Sequence, residues 1–512
     1  MKKFIYTPII ALSLILLGAC NTEDELKSDI FKDLETPSNP YNVTSGSADF
    51  STYVSVGNSL TAGFADGALY DAGQSQSFPK ILADQMFFAG GGSFNQPDIN
   101  SANGFNSSFS DPANGVINGR TVLDTSIPGP VPLPGDLSIL VPYSGDISSL
   151  NNWGIPGARV VDLVSPLYGT PDLDGDTFPE GNPFYVRIAS APGTSTVLGD
   201  AAAVGGSFFS LWIGSNDVLG WAISGGTAPD GEVIPGAEAL STFTLTSQAA
   251  FTASYDAILN TLRANGAKGV IANIPEVSLS PFFRAVPYNA IPLDQPTADA
   301  TNAAYAAYNG GLALINGGGV PGLSLSNEEM ALRTIAFSAG ANAVVVEDDQ
   351  LTDLSAAGLP SIRQLQLGEL LLLNAATVLG TLADPQNPAS VIGVGVPLGD
   401  NYTLTADELT TLSTRIATFN GIIAARAQAN EVGLYDAHAT FLGIALGGGT
   451  VEDGLMLTPD FSPNGIFSTD GIHPNPRGNA IIANGLIDVI NATFGATLNK
   501  VSVTNYPGVN LL

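Results

Sequence analysis

One continuous apolar run, Phe208-Phe209-Ser210-Leu211-Trp212-Ile213, stops abruptly at Gly214-Ser215-Asn216-Asp217. A run without polar alternation suits a strand buried on both faces, and such strands belong to parallel sheets covered by helices on each side. The neighbouring segments keep that rhythm. Tyr53-Val54-Ser55-Val56 is β-prone and runs into the glycine-framed turn Gly57-Asn58-Ser59-Leu60-Thr61-Ala62-Gly63. Phe251, Tyr255, Ile258, Leu259 and Leu262 share one face of a helix that should stop near Asn265-Gly266. Residues 269–274 then read as a strand ending at Pro275. Strand, helix, strand at this spacing predicts parallel βαβ units and an α/β fold.

The pattern resumes near the C-terminus. Thr405-Ala406-Asp407-Glu408 is a capping box, and Leu409, Leu412, Ile416, Phe419 and Ile423 mark the face of the helix it opens. Residues 432–435 read as a strand and 476–492 as a last helix. Helices are also expected over 77–88 and opening at 160–163. Two long stretches interrupt the rhythm as insertions, near 90–150 and 276–404. In the second, 343–346 reads as a strand and 362–379 as a helix, very apolar at Leu370-Leu371-Leu372-Leu373. Such a helix is either buried or forms a lid or acyl-binding wall.

The first residues read as a leader. Lys2 and Lys3 precede an apolar stretch, 4–17, too short to span a membrane comfortably. Leu17-Gly18-Ala19-Cys20 resembles a bacterial lipobox, with an ordinary secretory signal as the alternative. This implies a signal peptide over 1–19, a lipidated Cys20 and a membrane-anchored protein of the cell envelope. The outer membrane is the expected site, with cell-surface exposure an option raised by the acidic Asn21-Thr22-Glu23-Asp24-Glu25. Residues 20–48 are polar, aperiodic and expected to act as a tether, leaving 49–512 as the folded domain. The formal charge of −30 argues against a nucleic-acid partner, since that field repels phosphate backbones.

Chemistry concentrates in few residues. The chain has two histidines and one cysteine. His473 lies in Asp470-Gly471-Ile472-His473-Pro474, where a carboxylate three residues upstream can reach its ring if the backbone turns, as Gly471 permits. Pro474 biases His473 toward extended backbone, so the ring projects from a loop. A carboxylate holding an imidazole is two-thirds of a nucleophilic triad. Since Cys20 is taken up by the lipid anchor, serine is the candidate nucleophile, and Ser59 sits where open α/β sheets place their ligands. His438 has no carboxylate at that spacing and reads as structural. Asp172, Asp174 and Asp176 alternate like the start of a calcium loop, but Thr177 stands at the usual glycine position and Pro183 at the usual glutamate. No phosphate loop, dinucleotide fingerprint or zinc cluster appears, so neither a metal nor a cofactor is expected.

Four blocks in order, Gly57-Asn58-Ser59-Leu60, residues 152–158, Gly214-Ser215-Asn216-Asp217 and Asp470-Gly471-Ile472-His473-Pro474, resemble the SGNH, or GDSL, hydrolase family. The resemblance implies a flavodoxin-like three-layer sandwich with a parallel sheet. It implies Ser59 as nucleophile, His473 as general base and Asp470 as its orienting partner. It also implies an oxyanion hole from the Ser59 N–H, the Gly157 N–H and the Asn216 amide, with Gly154 the rival to Gly157. Asn58 replaces the family's usual aspartate and is expected to keep the turn through local bonds. The function implied is a lipid-anchored serine ester hydrolase acting on a small-molecule or lipid ester. The alternatives are a carbohydrate acetyl esterase, or a non-catalytic lipoprotein binding a glycan or partner on the same fold.

Overall fold

A computed structural model describes residues 43–124, 129–227 and 244–509. The expected leader 1–19, Cys20 and the tether as far as residue 42 lie outside the described residues. Residues 43–48, expected in the tether, instead pack on the domain. The Ser47 N–H donates to Phe494 O at 2.8 Å, and Ala48 is buried.

Five strands form one parallel sheet: β1 (Tyr53–Gly57), β2 (Asn152–Gly154), β3 (Phe208–Trp212), β4 (Lys268–Ala272) and β5 (Gly433–Tyr435). Their spatial order is 2-1-3-4-5, every neighbouring pair parallel. The α/β expectation holds, and this is one of the common doubly wound orders. The three residues of β2 carry too little pattern to stand out in the sequence.

Alternate residues of each strand feed two separate cores, as a period of two requires. Tyr53, Phe208, Trp212, Val270 and Ala272 meet helices α2 (Phe78–Phe87) and α8 (Pro476–Phe494) on one face. Val54, Val56, Phe209, Leu211 and Ile271 meet α4 (Gln248–Leu262) and α6 (Ala406–Asn430) on the other. The Thr405–Glu408 capping box is formed at the start of α6. Between these lie α1 (Ser59–Ala62), α3 (Asn216–Ile223), α5 (Gln295–Asn316) and α7 (Ala437–Gly447).

The insertions differ in kind. Residues 90–150 wrap α1 with a small cluster that includes Ile99, Phe105 and Ile139. Residues 286–402 carry a hydrophobic core of their own, built on Tyr305, Tyr308 and Leu312 of α5 with Val344, Val345 and Val346. The helix expected over 362–379 is not there. Ile362–Gln364 and Leu370–Leu371 are short strands paired with residues 345–347 and 403–404, followed by a 3-10 turn. A tight turn at 366–369 breaks the run, because the Glu369 carboxylate folds back onto Arg363. Leu370, Leu371 and Leu372 are buried at the seam between the two cores, so they are not a lid or an acyl wall. At 160–163 the expected helix is only a 3-10 turn, Asp162–Val164.

Arg363 is 2% exposed and binds two buried carboxylates, Asp348 at 2.6 Å and Glu369 at 2.6 and 2.7 Å. Arg363→Met strands both acids in the interior. We expect a loss of about 3–5 kcal/mol in urea unfolding. Lys80→Ala, which breaks the exposed Lys80–Asp84 pair, should barely move the midpoint.

Candidate active site

The site lies at the carboxyl ends of β1, β2 and β3, beside the point where the strand order reverses. β1 delivers Ser59 through a sharp turn. A Cβ on Gly57 would sit 2.2 Å from Thr61 Oγ1 and 2.4 Å from Trp212 O, so only glycine lets the strand end this close to its neighbour. Asn58 caps α1, its Oδ1 accepting the Leu60 N–H at 3.0 Å, which is the local bond expected of it. Ser59 becomes the first residue of α1, with its hydroxyl facing the loop before α8.

That loop is built around Asp470. Its Oδ1 accepts the N–H groups of Ile472 and His473, each at 2.9 Å. Its Oδ2 accepts the Gly67 N–H at 3.0 Å and the His473 Nδ1–H at 2.9 Å. Gly471 makes the turn at φ +72°, and its carbonyl accepts the Phe282 N–H, with no room there for a Cβ. Burial works to raise the Asp470 carboxyl. The charge and N–H of His473 and the neighbouring backbone N–H groups outweigh it and hold the carboxyl down at about 2. An ionised carboxylate only accepts, so the imidazole proton sits on Nδ1. Nε2 is left as an acceptor, and the Ser59 hydroxyl donates to it at 2.8 Å. The Phe64 ring packs on the imidazole with centroids 4.9 Å apart. The structure thus brings together Ser59, His473 and Asp470, with the relay formed end to end.

Two backbone donors point nowhere else. Neither the Ser59 nor the Gly157 N–H finds an acceptor among the described residues. The Gly154 N–H is taken by Asn152 Oδ1 at 3.0 Å, which removes it as the rival donor. The loop carrying Gly157 is pinned to β1 through Ile155 N–H and Gly57 O at 3.0 Å. It is pinned to α3 twice. Asn216 Nδ2 donates to Ala158 O at 2.9 Å, and the Val160 N–H donates to Asp217 Oδ2 at 3.0 Å. One Nδ2 proton of Asn216 is used in that bond, and the second remains for a ligand. Asp217 is fully buried, and burial pushes its carboxyl up to about 7.

Other residues were not legible as part of the site. Asp66 is buried behind the triad. Its Oδ1 accepts the Thr469 N–H and hydroxyl at 2.9 and 2.8 Å, its Oδ2 accepts the Tyr70 hydroxyl at 2.8 Å, and its own N–H donates to Ser468 Oγ. It therefore ties the segment after α1 to the loop holding His473. The Asp66-Gly67 pair is a turn signal, but nothing in one sequence says what a turn will bind. His438 is bonded elsewhere, its N–H donating to Asn273 Oδ1 and its Nδ1 lying 3.3 Å from Ile274 O. Asp172, Asp174 and Asp176 are exposed, and each caps the backbone of its own turn. A second carboxylate group, Asp349, Asp400 and Glu408, gathers where the insertion meets α6.

A hydroxyl, an imidazole and a carboxylate in this relay can generate a nucleophile at neutral pH. No family model, curated protein or solved structure matches the chain.

The depressed Asp470 carboxyl has a consequence for stability. Its folded value, about 2, lies below the unfolded value near 4, so the ionised form stabilises the fold. That contribution, about 2 kcal/mol, is present above about pH 4 and is lost as pH falls toward 2. The gap in unfolding free energy between wild type and Asp470→Asn should therefore shrink steadily in urea melts from pH 5 to pH 2.5. A constant gap would contradict the assignment.

Proposed function

We propose that this chain is a serine ester hydrolase of the SGNH type, held in the cell envelope by a lipidated Cys20. The observation that carries the reading is the relay itself: Ser59 Oγ to His473 Nε2 at 2.8 Å, and His473 Nδ1 to Asp470 at 2.9 Å. It stands at the carboxyl edge of a parallel sheet, where a ligand is expected.

The geometry supports the following sequence. Ser59 Oγ attacks the ester carbonyl carbon as His473 Nε2 takes its proton. Asp470 keeps the imidazole oriented and stabilises the imidazolium. The negative charge that develops on the carbonyl oxygen meets the N–H groups of Ser59 and Gly157 and the free amide proton of Asn216. The imidazolium then protonates the departing alkoxide, leaving an acyl-enzyme on Ser59. Water, deprotonated by His473, attacks the acyl carbon, releases the carboxylic acid and restores the serine. A binding protein on a retired fold has no use for a serine hydroxyl already bonded to the base. The leader 1–19 and Cys20 support an outer-membrane anchor, so esters near a lipid surface are within reach.

The test is covalent labelling. The detergent-solubilised full chain, treated with a fluorophosphonate and weighed intact, should gain one adduct that Ser59→Ala abolishes. Asn216→Ala should lower kcat for a p-nitrophenyl ester by about a hundred- to a thousandfold. Folded protein that takes no adduct would leave only the binding-protein reading.

A further inference from the structure

Beside the relay lies an apolar cavity of about 110 Å³. Its walls begin on the residues that flank the catalytic groups. Leu60 follows Ser59, Ile472 and Pro474 bracket His473, and Leu219 lies one turn beyond Asn216. Trp212 and Tyr435, from the ends of β3 and β5, line it within the sheet, and α7 and α8 line it further out. Ser280 and Thr440 are polar exceptions in a lining that is otherwise almost wholly carbon. A channel for a sugar would need hydrogen-bonding side chains along its walls, since unpaired hydroxyls buried against carbon are costly.

We propose that this cavity holds the acyl chain of the substrate, so that the preferred esters carry an aliphatic acyl group of about four to six carbons rather than acetate. The proposal rests on Ser59 being the nucleophile. In the acyl-enzyme the acyl carbon is bonded to Ser59 Oγ, and Leu60, the next residue in the chain, is part of this cavity's wall. The size follows from comparison: an apolar cavity of ~150 Å³ stays dry and takes up benzene. One of 110 Å³ takes a somewhat smaller hydrocarbon. Longer chains would have to leave through the mouth and gain less per carbon. The stretch 362–379 plays no part, because its leucines are spent inside the fold.

The experiment compares kcat/KM of the full chain on p-nitrophenyl esters from acetate to dodecanoate, with alkyl acetates of rising alcohol length in parallel. Each buried methylene should raise kcat/KM about fourfold, from ~0.8 kcal/mol per CH₂, so hexanoate, with four more methylenes, should exceed acetate by roughly two-hundredfold and the rise should then stop. Thr440→Phe, which fills the cavity from α7, should cut the hexanoate-to-acetate ratio at least tenfold by this reckoning of ~0.8 kcal/mol per methylene. Ala437→Leu serves if the first variant does not fold, and fluorophosphonate labelling reports an intact Ser59 in both. A flat or acetate-favouring profile with Ser59 labelled overturns the proposal alone. So does a rise confined to the alkyl acetates, or a ratio unmoved in both variants. Loss of labelling and of turnover on every ester overturns the esterase reading along with it.

Discussion

Asp470 is the carboxylate on which the site depends. It accepts four N–H groups, from Gly67, Ile472, His473 and the His473 ring, and two chain segments separated by 403 residues meet on it. Burying a charge is unfavourable unless its lone pairs are filled, and here they are. The same bonds that keep the carboxyl ionised also choose the imidazole tautomer. The acceptor nitrogen facing Ser59 follows from that choice. Asp66 repeats the arrangement one layer deeper, taking Thr469 and Tyr70. The imidazole is thus held by a small polar knot rather than by the loop's own stiffness, and the Phe64 ring packs against it.

The sheet supplies the rest. Parallel strands all end at one edge, so the turns after β1, β2 and β3 bring Ser59, Gly157 and Asn216 to neighbouring positions without any contact between their sequences. The Ala158 carbonyl and the Val160 N–H, both bonded to the start of α3, lock the second turn to the third. The apolar cavity uses the same logic one step further from the edge, since residues adjoining Ser59, Asn216 and His473 become its walls.

What the sequence made legible was whatever has a short period or a rare residue. β1, β3, β4, α4 and α6 are each announced by four or more patterned residues. The relay was legible because the chain has only two histidines and one carries an aspartate three places before it. The failures have a common cause. Residues 362–379 look helical by local composition, but Ile362–Gln364 and Leu370–Leu371 pair with strands elsewhere, and long-range pairing overrode local preference. The choice between Gly154 and Gly157 turned on whether an N–H was already taken, which no spacing reveals. Asp66 is one acid among 47 acidic residues, and its role exists only once residue 469 arrives beside it. The cavity is assembled from separate segments, each unremarkable alone.

Ser59 and His473 stand 414 residues apart and touch. β1 is an interior strand, flanked by β2 and β3, so the first strand to be synthesised waits for residues 152–154 and 208–212 before its edges are covered. His473 arrives later still, just before α8. Contacts of such long range are slow to form and leave strand edges open in the meantime. A nascent or truncated chain lacking its last tenth would therefore carry Ser59 without the imidazole it bonds to. That ordering is a built-in delay: the Ser59 hydroxyl meets the His473 imidazole only once nearly the whole chain has been made and closed.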